Sequence, residues 1–442
     1  MSQPLVFLHL SDIHFSRRSS TTYDPDLDLR RELVADAVRM KEKVKVCSGI
    51  LVSGDIAFSG RTDEYNTARD WLRETCHKLD CSEEAVWVIP GNHDVDRDAF
   101  RKSTFIQDKH QRLRTGDAAK GELEQEMLRL QEDPEAFEAL HRAFAGYIKF
   151  AREFGCKPKP GLFHWEDDLP LDDGSTLRIR GCNSALASRP TPPDDENANR
   201  LVVGRQQTLV PNEDGVTYLL MCHHPLDWLH DRDAVKTNLK ARTRVALFGH
   251  KHVLCVDRLD NTLMVMAGAV HPDRSEGRWQ PRYNYLRLCV PNNSTQRHLF
   301  VELWPRSWDD DNKVFKADTD AHGSECRVEE LPLPAWTPPP KAAVLATESL
   351  GSGTEVTGEG KIVNPKRRLV YRFHGLPYVR KLEVVTKLKL VAETDEELKE
   401  EERYPLYFRR AEESGILDQL WTAVEAQHGV DLPGQNPFAK KA

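Results

Sequence analysis

The sequence predicts an α/β protein in which a layered β-sheet structure is flanked by helices, followed by a small, separate α-helical domain at the C-terminus. Short apolar runs typical of buried strands recur between Leu5 and Phe248, and helical apolar patterns lie between the first three of them. A stretch rich in Pro, Gly, Ser and Thr precedes two further helical patterns. These observations indicate a layered α/β domain, a linker and a helical domain.

The predicted strands are short, apolar and closely followed by polar residues. They are Leu5–Leu10, Gly49–Ser53, Val86–Ile89, Val216–Cys222 and Val245–Phe248. Helical spacing is present in Leu33, Val34, Ala37 and Val38, and again in Tyr65, Ala68, Trp71 and Leu72. Later apolar runs, which predict that the domain closes with β-structure, are Leu263–Met266, Tyr283–Cys289 and His298–Leu303.

The domain organisation follows from length and composition. At 442 residues the chain is longer than one hydrophobic core usually organises. We expect a first domain over residues 1–330, with a charged helical insertion at about residues 105–155, a linker over residues 331–365 and a helical domain over residues 366–442. The apolar stripes that predict helices in this last domain are Leu376, Val379, Leu382 and Val385, and then Ile416, Leu417, Leu420, Trp421 and Val424.

Composition narrows the class of protein. A hydrophobic fraction of 39% and a charged fraction of 30% are typical of a globular protein, and a net charge of −8 argues against one that coats nucleic acid by bulk electrostatics. The nine cysteines include no Cys-x-x-Cys pair, so neither a disulfide framework nor a zinc ribbon is indicated. Without an apolar run of membrane-spanning length or a recognisable signal peptide, the sequence predicts a cytoplasmic protein that does not engage a membrane.

Five motifs of ligand-type residues each follow a predicted strand. They are Asp12-Ile-His14, Gly54-Asp55, Gly91-Asn92-His93-Asp94, His223-His224-Pro225 and Gly249-His250-Lys251-His252. Because ligands of open α/β sheets bind beyond the carboxyl ends of the strands, we expect these motifs to converge at one edge. Each motif is weak evidence alone, but their joint occurrence at strand ends indicates a metal centre.

The spacing within the motifs has a simple explanation in extended backbone. Residues i and i+2 of a strand point the same way, so Asp12 with His14, and His250 with His252, could reach one ion. Glycines before the ligands would allow tight turns. Imidazole mixed with carboxylate suits Mn, Fe or Zn better than Ca or Mg alone, and the lack of thiolates argues against a structural zinc site.

Together, the five motifs resemble the signature of the calcineurin-like metallophosphoesterase superfamily over roughly residues 5–303. The resemblance implies a sandwich of two mixed β-sheets flanked by helices, with two divalent ions bridged by an aspartate and a hydroxide. It implies manganese as the expected metal, with iron or zinc as alternatives. The implied ligands of one ion are Asp12, His14, Asp55 and His252, and those of the other are Asp55, Asn92, His223 and His250.

The resemblance also implies roles for three further residues. His93 would protonate the leaving oxygen or stabilise its charge, while Asp94 would orient the motif. The family's ligand sits two residues before a proline, which here is Pro225 and which favours His223 over His224 as the ligand. The alternative, in which His224 is the metal ligand, stays open. If His223 is the ligand, His224 is expected to pack behind the site or to form a hydrogen bond that orients the substrate.

The residue sequences of the motifs most resemble those of bacterial phosphodiesterase-type members of the superfamily. The expected substrate is therefore a nucleotide or nucleic-acid phosphodiester, cleaved by metal-activated hydroxide. The alternatives are a nuclease effector of bacterial antiviral defence, a phosphomonoesterase and a catalytically silent scaffold. A nuclease would need a positively charged surface that leads nucleic acid to the metals. Basic residues near the motifs could form this surface, unless they are only solvated surface charges. These cations are Arg17, Arg18, Lys240, Arg242 and Arg244.

The C-terminal domain resembles the small helical effector-associated domains of bacterial conflict and signalling proteins. The resemblance rests on Phe373-His-Gly-Leu-Pro-Tyr378 and Gly415-Ile-Leu-Asp-Gln-Leu-Trp421. It implies recruitment by a protein partner through residues 366–442. The alternative is a helical cap that packs on the catalytic domain or forms a homo-oligomer.

Overall fold

The computed structural model describes residues 3–20, 24, 26–118, 120–189, 200–272, 279–291, 296–338, 365–374, 376, 378–392, 395, 400–427, 436 and 438. The chain divides into two compact units, Met1–Val344 (the first unit) and Leu345–Ala442 (the second unit). Most of the predicted linker, residues 339–364, lies outside the described residues. The predicted boundary at residue 330 falls inside a strand of the first unit, Arg327–Pro332.

Thirteen strands of the described chain form two sheets. In chain order they are β1 (Leu5–Leu10), β2 (Gly49–Val52), β3 (Val86–Val88), β4 (His164–Pro170), β5 (Thr176–Cys182), β6 (Val216–Met221), β7 (Thr243–Phe248), β8 (Leu254–Leu259), β9 (Thr262–Ala267), β10 (Arg282–Cys289), β11 (His298–Asp309), β12 (Val314–Ala317) and β13 (Arg327–Pro332). The first sheet has the order β12-β11-β10-β1-β2-β3, with β13 beside β11, and the second has the order β4-β5-β6-β7-β9-β8.

Both sheets are mixed. In the first, β1, β2 and β3 run parallel while β10 pairs antiparallel with β1. In the second, β5, β6, β7 and β9 run parallel, with β4 and β8 antiparallel at the two edges. The expected fold of two mixed sheets flanked by helices is therefore confirmed.

The second sheet shows how the apolar strands are buried on both faces. Leu219 of β6 and Leu247 of β7 belong to the main core, together with the residues of β1 and β2. The alternate residues Leu220 and Ala246 lie in a separate apolar cluster with Leu239 of the helix that covers the other face. Because successive side chains of a strand point to opposite faces, a strand covered on both sides reads as a continuous apolar run.

Helices flank the sheets of the first unit. They are α1 (Leu27–Val44), α2 (Thr62–Leu79), α3 (Arg97–Lys102), α4 (Thr104–Thr115), α5 (Glu122–Glu132), α6 (Pro134–Arg142), α7 (Ala145–Ala151), α8 (Arg205–Thr208) and α9 (Arg232–Arg242). Four of these, α4 to α7, occupy the segment of the predicted helical insertion. Among the described helices of the whole chain, none combines the length and apolar character that a membrane crossing requires.

The second unit is helical in its described part. Its helices are α10 (Pro365–His374), α11 (Tyr378–Lys387), α12 (Glu400–Glu413) and α13 (Leu417–Gln427). The stripe predicted in α13 is buried at Leu420, Trp421 and Val424. The stripe predicted for α11 is buried at Val385 but wrong at Leu382, which is 44% exposed, because Val384 fills the core instead. The side chain of Val379 lies outside the described residues.

The sequence did not predict the edge strands β4, β8, β12 and β13. In β4, the sequence His-Trp-Glu-Asp-Asp-Leu-Pro buries only Trp165, and the other side chains are partly or fully exposed. Strands at the edge of a sheet need no apolar run, since one side faces solvent. Length and apolarity therefore miss these polar edge strands, and they also missed β5, which lies inside the second sheet.

Candidate metal centre

The five motifs meet where the parallel strands of both sheets end. In the first sheet, Asp12 and His14 follow β1, Asp55 follows β2, and Asn92 follows β3. In the second sheet, one histidine motif follows β6 and the other follows β7. Each sheet thus presents the carboxyl ends of neighbouring parallel strands to a shared cluster of side chains.

The backbone at the ligand positions is left-handed rather than extended. Positive φ angles occur at Asp12 (53°), His14 (53°), Asp55 (52°), His250 (70°) and His252 (56°). The explanation of the i, i+2 spacing by strand alternation is therefore wrong. Asp and His tolerate this region better than most residues, yet each such position costs about 1–3 kcal/mol and must be held by its surroundings.

The glycines of the motifs are required mainly for space. At Gly54, where φ is 95°, an added Cβ atom would lie 2.5 Å from His223 Nδ1. At Gly91, where φ is −108°, it would lie 2.1 Å from Asp55 Oδ1. Gly91 thus needs no left-handed turn, but its missing side chain lets the Asp55 carboxylate approach the backbone of the third motif.

The ligand-type atoms form four overlapping groups within the described residues. In each group, the candidate atoms lie within 4.8 Å of one another. The groups are Asp12, His14 and His252; His14, Asp55 and His93; Asp12, Asp55 and His223; and His223, His224 and His250. Asp55 belongs to two groups that contain different histidines, which is the placement a bridging carboxylate needs.

One oxygen of Asp12 is fastened while the other has no hydrogen bond. Oδ2 accepts hydrogen bonds from Ser11 Oγ at 2.6 Å and from the backbone N of His250 at 3.1 Å. Oδ1 is buried without a hydrogen-bond partner among the described residues, and lies 3.4 Å from His252 Nε2. A buried anionic oxygen without a donor is costly, so this atom fits a bound cation.

His223 has the same division between its two ring nitrogens. Nδ1 donates to the carbonyl oxygen of Ser53 at 2.7 Å, which orients the ring. Nε2 is buried, lies 3.1 Å from Asp55 Oδ2 and makes no hydrogen bond with good geometry to any described residue. A histidine that donates one N–H to a carbonyl and leaves the other nitrogen free is arranged as metal ligands usually are. The donor set therefore fits a divalent metal.

His224 differs from its neighbour because both of its ring nitrogens are engaged. Nδ1 lies 2.8 Å from Ser184 Oγ, whose hydroxyl can donate to it, and Nε2 lies 3.1 Å from Asn92 Oδ1. With the Nε2–H tautomer, His224 donates to the oxygen that Asn92 would turn toward a metal. This arrangement favours His224 as an orienting group and His223 as the ligand.

Charge explains the pKa directions of the neighbouring histidines. Burial opposes the charged form of His223, but the carboxylates of Asp55 and Asp12 outweigh it and raise its pKa to about 9. Burial, with the charge of His223, holds the pKa of His224 well below its ordinary value and lowers that of His250 to about 3. Both of the latter rings are therefore neutral near pH 7.

Asp94 fastens the ends of β2 and β3 to each other. Its two carboxylate oxygens accept hydrogen bonds from the backbone N of Gly91, Ile56 and Ala57 and from the hydroxyl of Tyr65, at 2.9–3.2 Å. Burial and the nearby charge of Asp55 raise the pKa of Asp94 to about 6. Asp94 therefore orients the third motif and makes no described contact with the open side of the cluster.

His93 lies beside the ligand groups and is held by a residue that the sequence did not single out. Its backbone N donates to Asp55 Oδ1 at 2.9 Å, and its Nδ1 donates to the carbonyl oxygen of Phe58 at 2.8 Å. Arg97 Nη2 donates to the same carbonyl at 3.1 Å. The ring of His93 is 4.7 Å from that of His14, between centroids.

Other residues that contact the proposed ligands were also not predicted from the sequence. The carbonyl of His271 accepts from His14 Nδ1 at 3.2 Å, and the ring of Trp228 packs edge-on against His250 at 4.0 Å between centroids. Ser184 follows β5, a strand that was not predicted, so no sequence signal pointed to it. Ser11 and Ser53 directly precede motif residues, and that adjacency is the one signal that could have identified them.

Comparisons with known proteins agree with this geometry. Residues 5–254, more than half of the chain, match the family model described as calcineurin-like phosphoesterase, and residues 365–426 match the one described as GTPase-associated adaptor domain. The resemblances inferred from the motifs and from the C-terminal helices are thereby confirmed.

Individual relatives are more distant. The chain is 30% identical over 96 residues to the uncharacterized metallophosphoesterase-like protein YydB of Bacillus subtilis (strain 168). This match covers 22% of this chain and 18% of the length of that protein. Vps29 of Chaetomium thermophilum is 9% identical with a TM-score of 0.29, covering 75% of this chain and all of that chain. Purple acid phosphatase PPD1 of yellow lupin (Lupinus luteus) is 10% identical with a TM-score of 0.37, covering 69% of this chain and 52% of that one.

Proposed function

The chain belongs to the calcineurin-like phosphoesterase family, and on this premise we propose that it is a dinuclear-metal phosphohydrolase that cleaves nucleotide or nucleic-acid phosphodiesters. The observation that carries this proposal is the pair of buried, unsatisfied ligand atoms, Asp12 Oδ1 and His223 Nε2, within a cluster of histidines and carboxylates. A buried carboxylate oxygen without a hydrogen-bond donor destabilises a protein unless a cation compensates it, and a histidine nitrogen beside it is a suitable ligand for that cation.

The proposed ligand set keeps the division inferred from the motifs. One ion would be held by Asp12, His14, Asp55 and His252, and the other by Asp55, Asn92, His223 and His250. When bound, the two ions would supply Lewis-acid stabilisation of the phosphate oxygens and lower the pKa of a bound water. Manganese is the proposed metal, with iron or zinc as alternatives.

His93 is proposed to protonate the leaving oxygen. Because its Nδ1 donates to the carbonyl of Phe58, the ring is oriented beside the ligand groups, and Nε2 is the nitrogen that would transfer the proton. Asp94 is proposed to act only by holding the turn that carries His93.

His224 is proposed as a positioning residue that acts through Asn92. Its Nε2–H fixes the carboxamide oxygen of Asn92, and the hydroxyl of Ser184 fixes the tautomer of His224. A chain of this kind resembles the outer-shell contacts that orient ligands in other metal sites. Ligation by His224 is the alternative, and the double-mutant cycle described in the Discussion separates the two.

The nuclease alternative loses part of its support. Arg242 and Arg244 donate to the backbone carbonyls of Val210 and Pro332, and Lys240 pairs with Asp260 at 3.1 Å. These three cations lie at the start of β7, whereas the ligand motif follows its far end. Arg17 pairs with Asp63 at 3.4 Å, and the side chain of Arg18 lies outside the described residues. A nuclease effector of antiviral defence and a cytoplasmic location stay predictions.

The test compares Mn-dependent hydrolysis of bis-(p-nitrophenyl) phosphate with that of p-nitrophenyl phosphate by the full chain. We expect faster turnover of the diester, and loss of turnover in Asp55→Asn. A matched control is Asp36→Asn, because Asp36 is an equally buried aspartate that pairs with Arg306 at 2.7 Å and does not contact the cluster. A preference for the monoester would replace the proposal with a phosphomonoesterase. No turnover with any divalent metal would favour the silent scaffold.

The second unit is proposed to recruit a protein partner. The match of residues 365–426 to an adaptor-domain model supports this role, and the description of that model points to a partner associated with GTPases. A homo-oligomer formed through the same helices is the alternative. Sedimentation of the full chain alone and of a variant with a disrupted second unit distinguishes them, because only the homo-oligomer changes mass without a partner.

A further inference from the structure

Phe58 is an exposed aromatic residue directly beside the metal centre. Its ring is 44% exposed, and its centroid lies 5.3 Å from that of His93 and 6.3 Å from that of His14. Single exposed apolar residues are ordinary on protein surfaces. This one differs because it adjoins the residue proposed to protonate the leaving group.

The position of Phe58 is fixed on several sides. Its backbone N donates to the carbonyl of Phe15 at 2.9 Å, and its own carbonyl accepts from both His93 and Arg97. The guanidinium carbon of Arg97 lies 5.2 Å from the centre of the Phe58 ring. The aromatic face is therefore pre-organised, which reduces the entropy that a ligand would lose on stacking against it.

Arg97 adds a second contact of the same chemistry. Its Nε is buried without a hydrogen-bond partner among the described residues, whereas its Nη2 donates to the Phe58 carbonyl. Arginine and aromatic side chains are the groups on which nucleobases stack, through their π faces and through cation–π attraction. Together they form a platform of matching chemistry at one end of the cluster.

We propose that Phe58 and Arg97 form a stacking subsite for the nucleobase of a nucleoside leaving group. This inference rests on the proposed function, since it places the base on the side of the scissile bond that His93 protonates. A serine or threonine leaving group of a phosphoprotein carries no flat ring to fill the platform. The subsite therefore selects nucleoside alcohols, and the metal ligands alone do not make that selection.

The test uses substrates that share one nucleoside and differ in the leaving alcohol, and the comparison between variants cancels any difference in the acidity of those alcohols. Thymidylyl-(3′→5′)-adenosine is compared with thymidine 3′-methyl phosphate, with formation of thymidine 3′-phosphate as the readout. The mirrored pair, the same dinucleoside and adenosine 5′-methyl phosphate, reports adenosine 5′-phosphate if the other bond breaks. In each pair the ratio of kcat/KM values measures the contribution of the leaving base.

We expect the wild-type protein to prefer the dinucleoside, and Phe58→Leu to lower that ratio roughly 5- to 150-fold, the range of base–aromatic stacking. Phe58→Tyr should retain the ratio, because the ring is kept. The matched control is Phe105→Leu, since Phe105 is 45% exposed and also lies 5.2 Å from a cation, Lys109 Nζ. That variant should leave the ratio unchanged.

The inference is overturned if Phe58→Leu keeps the wild-type ratio, or if both leucine variants lower it equally. It is also overturned if the protein hydrolyses bis-(p-nitrophenyl) phosphate in an Asp55-dependent way but cleaves neither nucleoside substrate. In that case a metal-dependent phosphodiesterase activity stands, but both the subsite and the nucleotide substrate class are wrong, whereas an unchanged ratio in Phe58→Leu overturns the subsite alone. Absence of all diester hydrolysis would instead overturn the proposed function.

Discussion

The two units of the chain differ in the partners of their buried carboxylates. In the second unit, Asp395 lies against Arg410, with an Nη2–Oδ1 distance of 2.8 Å, and Glu425 accepts from Arg372 at 3.0 Å. In the first unit, Asp12 Oδ1 and His223 Nε2 are buried and have no hydrogen-bond partner among the described residues. The carboxylates of the helical unit face arginines, whereas those of the metal centre face histidine rings, which can also bind a cation.

The backbone of the two units also differs. Five of the proposed ligands have left-handed φ angles, whereas among the described non-glycine residues of the second unit only Lys389 has one. Strain and unsatisfied atoms persist in a folded protein where a function maintains them. We therefore expect the first unit to depend on its metals and the second to depend only on its core.

Removal of metal should have the largest effect. Dialysis against a chelator should reduce diester hydrolysis to background, and added manganese should restore it. A metal present at about 100 times its dissociation constant stabilises the folded state by about 2.7 kcal/mol. Hydrogen exchange of the full chain should therefore lose protection at Ser11–His14 and Gly249–His252 without metal. If the helices α10–α13 lost protection instead, the contrast between the units would be wrong.

Truncation of Trp421 should affect the second unit without affecting catalysis. Trp421 is 3% exposed in the core of that unit, so Trp421→Ala should destabilise it by about 3–5 kcal/mol. Hydrogen exchange in α10–α13 measures the destabilisation, and turnover of bis-(p-nitrophenyl) phosphate should stay at the wild-type rate. The mirrored variant is Trp87→Ala, where Trp87 is 2% exposed on β3, and it should lower activity. Loss of turnover in Trp421→Ala would show that the second unit completes the site.

His224 offers a smaller and more specific effect. His224→Ala should lower kcat roughly 10- to 100-fold, because outer-shell contacts of metal ligands contribute about that much. His224→Gln should recover part of the activity, since its amide can donate to Asn92 Oδ1. In an Asn92→Ala background, His224→Ala should cause little further loss, because the two residues act as one unit. Additive losses in the double mutant would favour direct ligation by His224.

Local apolar pattern predicted most of the strands inside the sheets, although it missed β5, and local residue types located the five motifs. Leu5–Leu10 was predicted to the residue, since buried strands read as apolar runs. Local pattern could not decide whether His223 or His224 is the metal ligand, because the two residues are adjacent and of the same type. It depends on the carbonyl of Ser53 beside one ring and the hydroxyl of Ser184 beside the other, and folding brings both from distant strands.

Phe58 and Arg97 illustrate the same limit. Nothing in their spacing distinguishes them from other aromatic and basic residues, and their relation to His93 arises from the turn after β2. Edge strands such as β4 were missed because their side chains are largely exposed. Residues with obvious chemistry are therefore found from sequence, whereas those that orient them are found from structure.

The smallest predicted effect tests whether the ligand positions are strained. His252 has a φ of 56°, and its side chain is 18% exposed. Glycine adopts this conformation freely while alanine does not, so His252→Gly should unfold at a higher temperature than His252→Ala, by about 1 kcal/mol in the free energy of unfolding. Thermal or urea unfolding of the metal-free proteins measures the difference.

His93 provides the control for this comparison, because it lies in the short 3-10 helix Asn92–Asp94 and not in the left-handed region. There the order should reverse, with His93→Ala more stable than His93→Gly by roughly 0.5–1 kcal/mol, since glycine loses more backbone entropy on folding. Opposite signs at two neighbouring histidines cannot arise from loss of a ring alone. The same sign at both positions would mean that the left-handed turns carry no strain, and that the contrast between the two units lies only in the partners of their buried carboxylates.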